Sequence, residues 1–235
     1  MPSIIISGAN ASKSLDFDLP FDDIAYLNFF EDSDLIERNL GTGAAAVTSG
    51  TATVGSGYVS LTGSEGFLQT DAVETEEMTI ISVSRAVSIG TGAARPLYIS
   101  NYASSTLGNG GTSIYANGTA VVTGATYLNN AGATANVSSS LAATPQNWSM
   151  KALRVDAESL LMEDFTTGLS GSQAITYARD LNANPYRIGW GYATSFDGNS
   201  DHASACIVNR RIADDELNEI AALMRRRAAL FGITV

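Results

Sequence analysis

Residues 203–217, ASACIVNRRIADDEL, contain the change of pattern that decides the fold. Residues 203–208 are apolar and read as a short buried strand. Asp214, Asp215 and Glu216 then suit the first turn of a helix, whose dipole favours negative charge there. Downstream, apolar residues recur at helical spacing up to Phe231, and Gly232 follows as a C-terminal cap. The sequence therefore predicts one amphipathic helix over residues 214–231.

Upstream of this stretch the chain consists of short apolar runs separated by turn residues. The most apolar runs are residues 24–30 (IAYLNFF) and 78–84 (MTIISVS), and residues 148–155 and 159–164 form a hairpin pattern. Residues 58–61 and 67–70 predict a second hairpin. Many short strands with Gly-rich turns are typical of a sandwich or barrel.

Three local features complete this pattern. Residues 41–57 are rich in Gly, Ala, Thr and Ser and predict either an edge strand or a flexible loop. Asn117-Gly118 predicts a type I′ turn, which requires positive φ at both positions. Gly124 predicts a turn between two further strands, 119–123 and 125–128.

The composition excludes several classes of function. The chain has 235 residues and a formal net charge of −11, which repels phosphate backbones and anionic lipids. No apolar run approaches the roughly 20 residues of a membrane helix. The only cysteine, Cys206, excludes a disulfide framework and argues against a cysteine zinc site. We therefore expect no nucleic-acid partner and no membrane insertion, and the first residues do not resemble a secretory signal.

The order of these segments resembles the concanavalin A-like and laminin-G-like β-sandwich family. The resemblance is carried by residues 78–84, 97–102, 147–164, 186–198 and, most closely, 206–217. It implies an all-β fold: an antiparallel two-sheet β-sandwich of the jelly-roll type with one C-terminal α-helix. Residues 1–20 are then an N-terminal arm or first strand, and residues 21–235 form the sandwich with its helix.

The resemblance includes glucanases, so we searched for their chemistry. Retaining hydrolysis needs two carboxylates about 5 to 5.5 Å apart, which on a strand requires alternating positions. Glu163 and Asp164 are adjacent and are predicted to point to opposite faces. His202 shows no nucleophile partner in the sequence, and it is read as a loop histidine before a strand. We therefore predict no enzymatic activity, with a glycan-degrading enzyme as the alternative.

Two groups of residues could bind a ligand. Trp190 and Tyr192 are aromatic side chains near an acidic loop, as in sugar sites, although Trp190 could instead cap the core. Asp197, Asn199 and Asp201 offer oxygen atoms at alternating positions. The resemblance implies that calcium could bind there, since many laminin-G-like domains carry calcium; an ordinary turn is the alternative. No other cofactor is expected.

The remaining expectations concern assembly. Arg225, Arg226 and Arg227 form a basic cluster that is either a solvated helix end or a contact for an acidic partner. We predict a non-catalytic binding or assembly module, most consistent with a phage structural protein of the tail, fibre or capsid decoration type. Its expected partners are other virion proteins, further copies of itself and host surface carbohydrate. A bacterial cell-surface lectin is the alternative to this virion location.

Overall fold

The computed structural model describes residues 19–235, which form two antiparallel β-sheets packed face to face and one α-helix. The predicted arm at residues 1–20 lies almost wholly outside the described residues. Sheet A contains, in spatial order, β13 (Leu169–Ala174), β12 (Ser159–Asp164), β11 (Ser149–Val155), β6 (Met78–Ala86), β16 (Ser200–Val208), β4 (Val59–Leu61) and β3 (Thr53–Val54), and β1 (Ile24–Phe29) also pairs with β16. Sheet B contains β10 (Ala133–Ala142), β9 (Val121–Asn130), β8 (Thr112–Ala116), β7 (Leu97–Ser100), β15 (Arg187–Ile188), β5 (Gly66–Gln69) and β2 (Val47–Gly50), and β14 (Ala178–Arg179) also pairs with β9.

The centre of sheet A is buried on both faces, while its edge strand β13 is largely exposed. Its central strands β6 and β16 are buried along their whole length except at Arg85. One face packs on sheet B, where Ile80 and Leu153 belong to the intersheet core. The other face packs under the helix, where Ile81 and Cys206 belong to a second core. Both faces of residues 78–84 are therefore covered, one by sheet B and one by the helix.

The helix α1 (Asp214–Ala229) confirms the prediction over residues 214–231 to within two residues. Leu217, Ile220 and Met224 are at most 1 % exposed and pack on sheet A. Burial of each such side chain contributes about 1.5–3 kcal/mol. Gly232 takes φ +75° and the Ile233 N–H donates to a carbonyl in the last turn, 3.1 Å away, as in a Schellman motif. No helix in the described part of the chain is long and apolar enough to cross a membrane.

The outer face of sheet B carries no helix within residues 19–235. Its strands alternate in the usual way: Ile114 and Val122 point into the intersheet core, and Ser113 and Tyr115 point outward. α1 covers only sheet A, and loops that carry Tyr102 and Phe196 lie over part of this face, which we call the open face of sheet B.

The predicted hairpin of residues 58–61 and 67–70 is wrong. β4 belongs to sheet A and β5 to sheet B, so the segment between them crosses from one sheet to the other. The crossing is a single turn of 3-10 helix, Gly63–Glu65, and Gly63 takes φ +62°. Residues 41–57 supply β2 and β3, which are edge strands, as one of the two predictions for this segment required.

The type I′ turn occurs at a different place from the predicted one. Gly118 has φ +94°, but Asn117 is not among the described residues with positive φ. Ala131 at φ +51° and Gly132 at φ +90° instead form the two-residue turn between β9 and β10, in which Asn130 pairs with Ala133.

Gly124 lies in the middle of β9, where a turn was predicted. A Cβ atom at this position would lie 2.6 Å from Leu153 Cδ1 and 2.9 Å from Met162 Sδ. Both neighbours belong to sheet A. The glycine therefore marks a close approach of the two sheets.

We expect the substitution Gly124→Val to lower the free energy of unfolding by about 1–3 kcal/mol, because Leu153 and Met162 are fully buried and cannot move away without strain. Denaturant unfolding measures this loss. The control Ala133→Val introduces the same side chain at an exposed position of the neighbouring strand and should change stability by less than about 0.5 kcal/mol. Equal midpoints for Gly124→Val and the wild type would contradict the close approach of the sheets.

Candidate functional site

An aromatic cleft lies on the open face of sheet B. Tyr115 of β8 and Tyr127 of β9 project from the sheet, and Tyr102 and Phe196 come from loops. The Tyr102 and Tyr127 rings stack with centroids 5.5 Å apart and an interplanar angle of 24°. Phe196 meets Tyr102 edge to face at 5.8 Å and Tyr115 at 5.2 Å. We call these four residues and the surface between them the tyrosine cleft.

The register of β8 and β9 explains why these rings converge. Ser113 pairs with Ala125, and both point outward. Tyr115 and Tyr127 lie two residues further along their strands, so they share this face. Because Ser113 and Ala125 are small, they leave space between the larger rings.

The floor of the cleft encloses only about 30 Å³, room for one water molecule, so a ligand would lie on the rings and not inside them. Beside it, a depression of about 350 Å³ is lined by Tyr102, Ala103, Ser104, Ser105, Tyr192, Ala193, Thr194 and Ser195. Tyr102 lines both. The site is therefore a shallow, continuous surface of aromatic rings and hydroxyl groups.

The polar groups of the cleft are uncharged. Burial raises the pKa values of Tyr115 and Tyr127, and Tyr102 raises that of Tyr127 further, so the phenols remain protonated donors. Asn136 and Ser113 add an amide and a hydroxyl group. No carboxylate lines the cleft among the residues that the structure describes.

A buried ion pair holds the loop that carries Tyr102. Arg179 pairs with Glu74, and both side chains are at most 1 % exposed. Glu74 Oε2 accepts from Asn182 N at 2.9 Å and from Asn101 Nδ2 at 3.2 Å. Asn182 Nδ2 in turn donates to the Asn101 carbonyl at 2.7 Å. These hydrogen bonds hold Asn101, and with it the backbone next to Tyr102.

Trp190 and Tyr192, predicted as sugar-binding residues, form a second aromatic group with Phe67. The Arg187 guanidinium carbon lies 4.3, 4.9 and 3.5 Å from the ring centroids of Phe67, Trp190 and Tyr192. The hydroxyl of Tyr192 also reaches Gln69 Oε1 at 3.0 Å. Arg187 therefore fills the space between these rings, while Tyr192 still lines the depression beside the cleft.

Asp197, Asn199 and Asp201, the predicted calcium ligands, have different surroundings. Asp197 Oδ1 accepts from Ser64 N at 2.6 Å. Asp201 is buried, with one oxygen accepting a serine hydroxyl and the other pairing with Arg85 Nε at 2.8 Å. An arginine-neutralised carboxylate does not suit a hard cation. The residues described include no group of three or more His, Cys, Asp or Glu side chains arranged for a metal ion. Calcium binding at these residues stays a prediction.

The basic cluster of the helix divides into two roles. Arg225 Nη2 donates to the Phe165 carbonyl at 2.6 Å, and Arg227 Nε donates to Glu31 Oε1 at 2.7 Å. These two side chains fasten the helix to the sandwich. Arg226 is exposed on the helix surface, so it is the member of the predicted partner contact that solvent can reach.

The groups that could serve acid–base chemistry are enclosed or held apart. His202 lies inside β16 and not in a loop; its Nε2 is 2.8 Å from Ser200 Oγ, and both residues are fully buried. Glu163 pairs with Arg154 at 2.9 Å, and Asp164 is buried. Glu163 and Asp164 both line a depression of about 230 Å³ at the end of β12, where Arg154 engages the Glu163 carboxylate.

The four residues of the tyrosine cleft were not predicted as ligand-binding residues. They come from four separate segments, which no linear motif connects. The signal that could have found them is the alternation on the predicted strands, where Tyr115 and Tyr127 fall on the same face as the small residues Ser113 and Ala125.

Comparison with known proteins shows similarity in fold alone. No protein-family model and no curated protein matches the chain. The receptor-binding domain of a botulinum neurotoxin C/D mosaic serotype has a TM-score of 0.65 at 8 % identity, over 86 % of this chain and 51 % of that one. The binding domain of botulinum neurotoxin DC, in complex with SialylT, has a TM-score of 0.63 at 10 % identity, over 88 % and 52 %. The binding domain of Paraclostridial Mosquitocidal Protein 1 has a TM-score of 0.56 at 11 % identity, over 89 % and 53 %.

These neighbours support the two-sheet β-sandwich, and this chain spans about half the length of the solved chains that it matches.

The Lys151 side chain carries a buried ammonium group, and the effect of this burial on its pKa can be tested. Its Nζ donates to the Ser84 carbonyl at 2.8 Å and lies 4.4 Å from the Tyr98 ring centroid. Burial lowers the pKa of Lys151 from 10.5 to about 7, although Asp164 opposes this shift. Above about pH 7 the unfolded chain therefore binds more protons than the folded chain.

We expect the free energy of unfolding to rise with pH between about 7 and 9.5, with Lys151 contributing at most about 1.4 kcal/mol per pH unit. Lys151→Met should flatten this rise, as measured by urea unfolding across the window. Leu153→Met, on the same strand and equally buried, should keep the wild-type slope. A slope that Lys151→Met leaves unchanged would contradict a lowered pKa.

Proposed function

We propose that the chain is a non-catalytic carbohydrate-binding module whose ligand lies on the tyrosine cleft. The observation that carries this proposal is the group of four aromatic rings on the open face of sheet B. The apolar C–H faces of a sugar pack on aromatic rings, and its hydroxyl groups exchange hydrogen bonds with phenol, serine and amide side chains. The cleft and the adjacent depression supply both kinds of contact.

The exposure of the rings supports a binding role. Tyr102, Tyr115, Tyr127 and Phe196 are each half-buried, although the sandwich has a separate apolar core. Aromatic residues that combine an apolar body with a polar tip are enriched at binding surfaces. The four rings also contact one another, so they present one continuous aromatic surface to a ligand.

The solved neighbours add support at the level of the fold. One botulinum neurotoxin binding domain was solved with SialylT, and the cell entry of botulinum neurotoxin type C depends on two ganglioside molecules. A sandwich of this shape is thus compatible with glycan recognition. Identities of 8–10 % carry no ligand over to this chain.

The lining of the cleft favours binding over hydrolysis. A glycosidase needs two carboxyl groups about 5–5.5 Å or about 6.5–9.5 Å apart on either side of the scissile bond. The described lining residues of the cleft and the depression contain no carboxylate. The glycan-degrading alternative is therefore not favoured at this site.

We also propose that the module works in an assembly of copies, as a phage virion component would. Strand β10 is an outer edge of sheet B and pairs only with β9 among the described strands. Its ten residues, ATANVSSSLA, include no charged residue and no proline. A long uncharged edge is suited to pairing with another chain. A monomeric lectin on a bacterial surface is the alternative.

The binding proposal predicts that Tyr102→Ala and Tyr127→Ala each weaken glycan binding at least about fivefold, because truncation of an anchor residue costs more than about 1 kcal/mol. A glycan array identifies a ligand for the full chain, and calorimetry measures its affinity. Tyr177→Ala removes an exposed tyrosine outside the cleft and should bind as the wild type does. A wild-type protein that binds no glycan, or cleft variants of unchanged affinity, would contradict the proposal.

The assembly proposal predicts oligomers in solution that Ser140→Lys dissociates, because Ser140 is an exposed residue of the β10 edge. Light scattering measures the mass, and Asn218→Lys, which adds the same charge on α1, should leave it unchanged. Mass spectrometry of particles purified from cells that produce the chain should find it at a fixed copy number. A monomer that is absent from such particles would refute the virion role.

A further inference from the structure

We propose that the tyrosine cleft selects a sugar that carries an anionic group, and that Arg95 is the residue that recognises this group. The inference rests on the proposed carbohydrate-binding function and adds the class of ligand. It begins from the position of one arginine. The Arg95 guanidinium carbon lies 4.1 Å from the ring centroid of Phe196 and 5.8 Å from that of Tyr115. Arg95 thus stands directly beside two of the four rings.

The charge of Arg95 is not neutralised by a carboxylate. Six arginines in the described part of the chain form ion pairs with Asp or Glu, namely Arg85, Arg154, Arg179, Arg210, Arg211 and Arg227. Arg95 forms none. Arg38, Arg187, Arg225 and Arg226 likewise form no such pair within residues 19–235, but Arg95 is the one that lies against Phe196 and Tyr115 of the cleft. Its positive charge therefore remains available to a ligand.

The geometry of Arg95 leaves one edge of its guanidinium group open. Nε donates to the Gly92 carbonyl at 2.8 Å and Nη1 donates to Asn117 Oδ1 at 3.2 Å. These two bonds fix the plane of the group. Nη2 makes no hydrogen bond within residues 19–235, so its N–H groups are free to donate to an oxyanion. A held guanidinium group loses little entropy when it binds.

No carboxylate lines the cleft beside Arg95 among the described residues, although Asp197 lies close to the Arg95 segment. The protonated phenol of Tyr115 can donate to an anionic oxygen, whereas Tyr127 is already hydrogen-bonded to Tyr102 and Asn136. Asp197, which follows Phe196, accepts from Ser64 N at 2.6 Å. Arg95 Nη2 and the Tyr115 phenol are therefore the donors that an anion on the rings can use.

The net charge of −11 does not oppose this selectivity. At physiological salt, exposed charges are screened over about 8 Å, so a ligand on the cleft responds mainly to Arg95 and its immediate neighbours. A carboxylate or a sulfate ester would gain a charge-assisted hydrogen bond that a neutral sugar lacks.

The test compares a neutral oligosaccharide with its uronic acid form and its sulfated form, each titrated into the full chain. We expect at least one anionic form to bind at least about tenfold more tightly than the neutral form, with a preference that weakens as salt is added. The form that gains affinity distinguishes a carboxylate from a sulfate ligand.

Arg95→Gln should bring the ratio of anionic to neutral affinity down to about one, and Arg95→Lys should retain part of the preference. Arg226→Gln removes an equal charge from α1 and should keep the full preference. Denaturant midpoints equal to the wild type show that the variants are folded.

Equal affinity of the wild type for all three forms, or a preference that survives Arg95→Gln, would refute the role of Arg95 and leave the carbohydrate-binding function standing. Failure of the wild type to bind any form, neutral or anionic, would refute both proposals.

Discussion

Packing of α1 on sheet A determines which surfaces of the molecule are left for binding. Leu217, Ile220 and Met224 cover the outer face of β6 and β16, where Ile81 and Cys206 would otherwise meet water. The intersheet core needs the inner faces of both sheets. Only the outer face of sheet B remains without a helix in the described part of the chain, and the tyrosine cleft lies on that face.

Arginine supplies most of the strong polar contacts in this acidic protein. The chain has two lysines, and the one that the structure describes, Lys151, is buried between the sheets. The guanidinium group of Arg179 instead connects Glu74 to the backbone carbonyls of the neighbouring loop, and Arg227 fixes α1 through Glu31. A planar fork of five donors can satisfy several acceptors at once, which an ammonium group cannot do with fixed geometry. Arg179 thereby helps to hold the loop that carries Tyr102, and Arg227 holds α1 on the sandwich.

The sequence predicted the parts of the fold that depend on local pattern. Residues 24–30 and 78–84 each contain a strand, and residues 148–164 contain two. These runs are so apolar that a conformation exposed to water would be unfavourable. Strand β10 was not predicted, because its serine, alanine and asparagine residues resemble a loop until β9 supplies the pairing. The predicted hairpin of residues 58–61 and 67–70 failed for a related reason: chain spacing is the same whether two strands pair or enter different sheets.

The sequence by itself determined the class of fold, the C-terminal helix and the absence of a paired-carboxylate motif, since each depends on residue types at fixed spacing along the chain. Only the tertiary structure decided the location of the candidate site. It placed the ring centroids of Tyr102 and Tyr127, of Tyr102 and Phe196, and of Tyr115 and Phe196 less than 6 Å apart. It also placed Arg187 between the rings of Trp190 and Tyr192. Contacts between residues this far apart in the chain depend on the register and packing of the sheets, which no local pattern specifies.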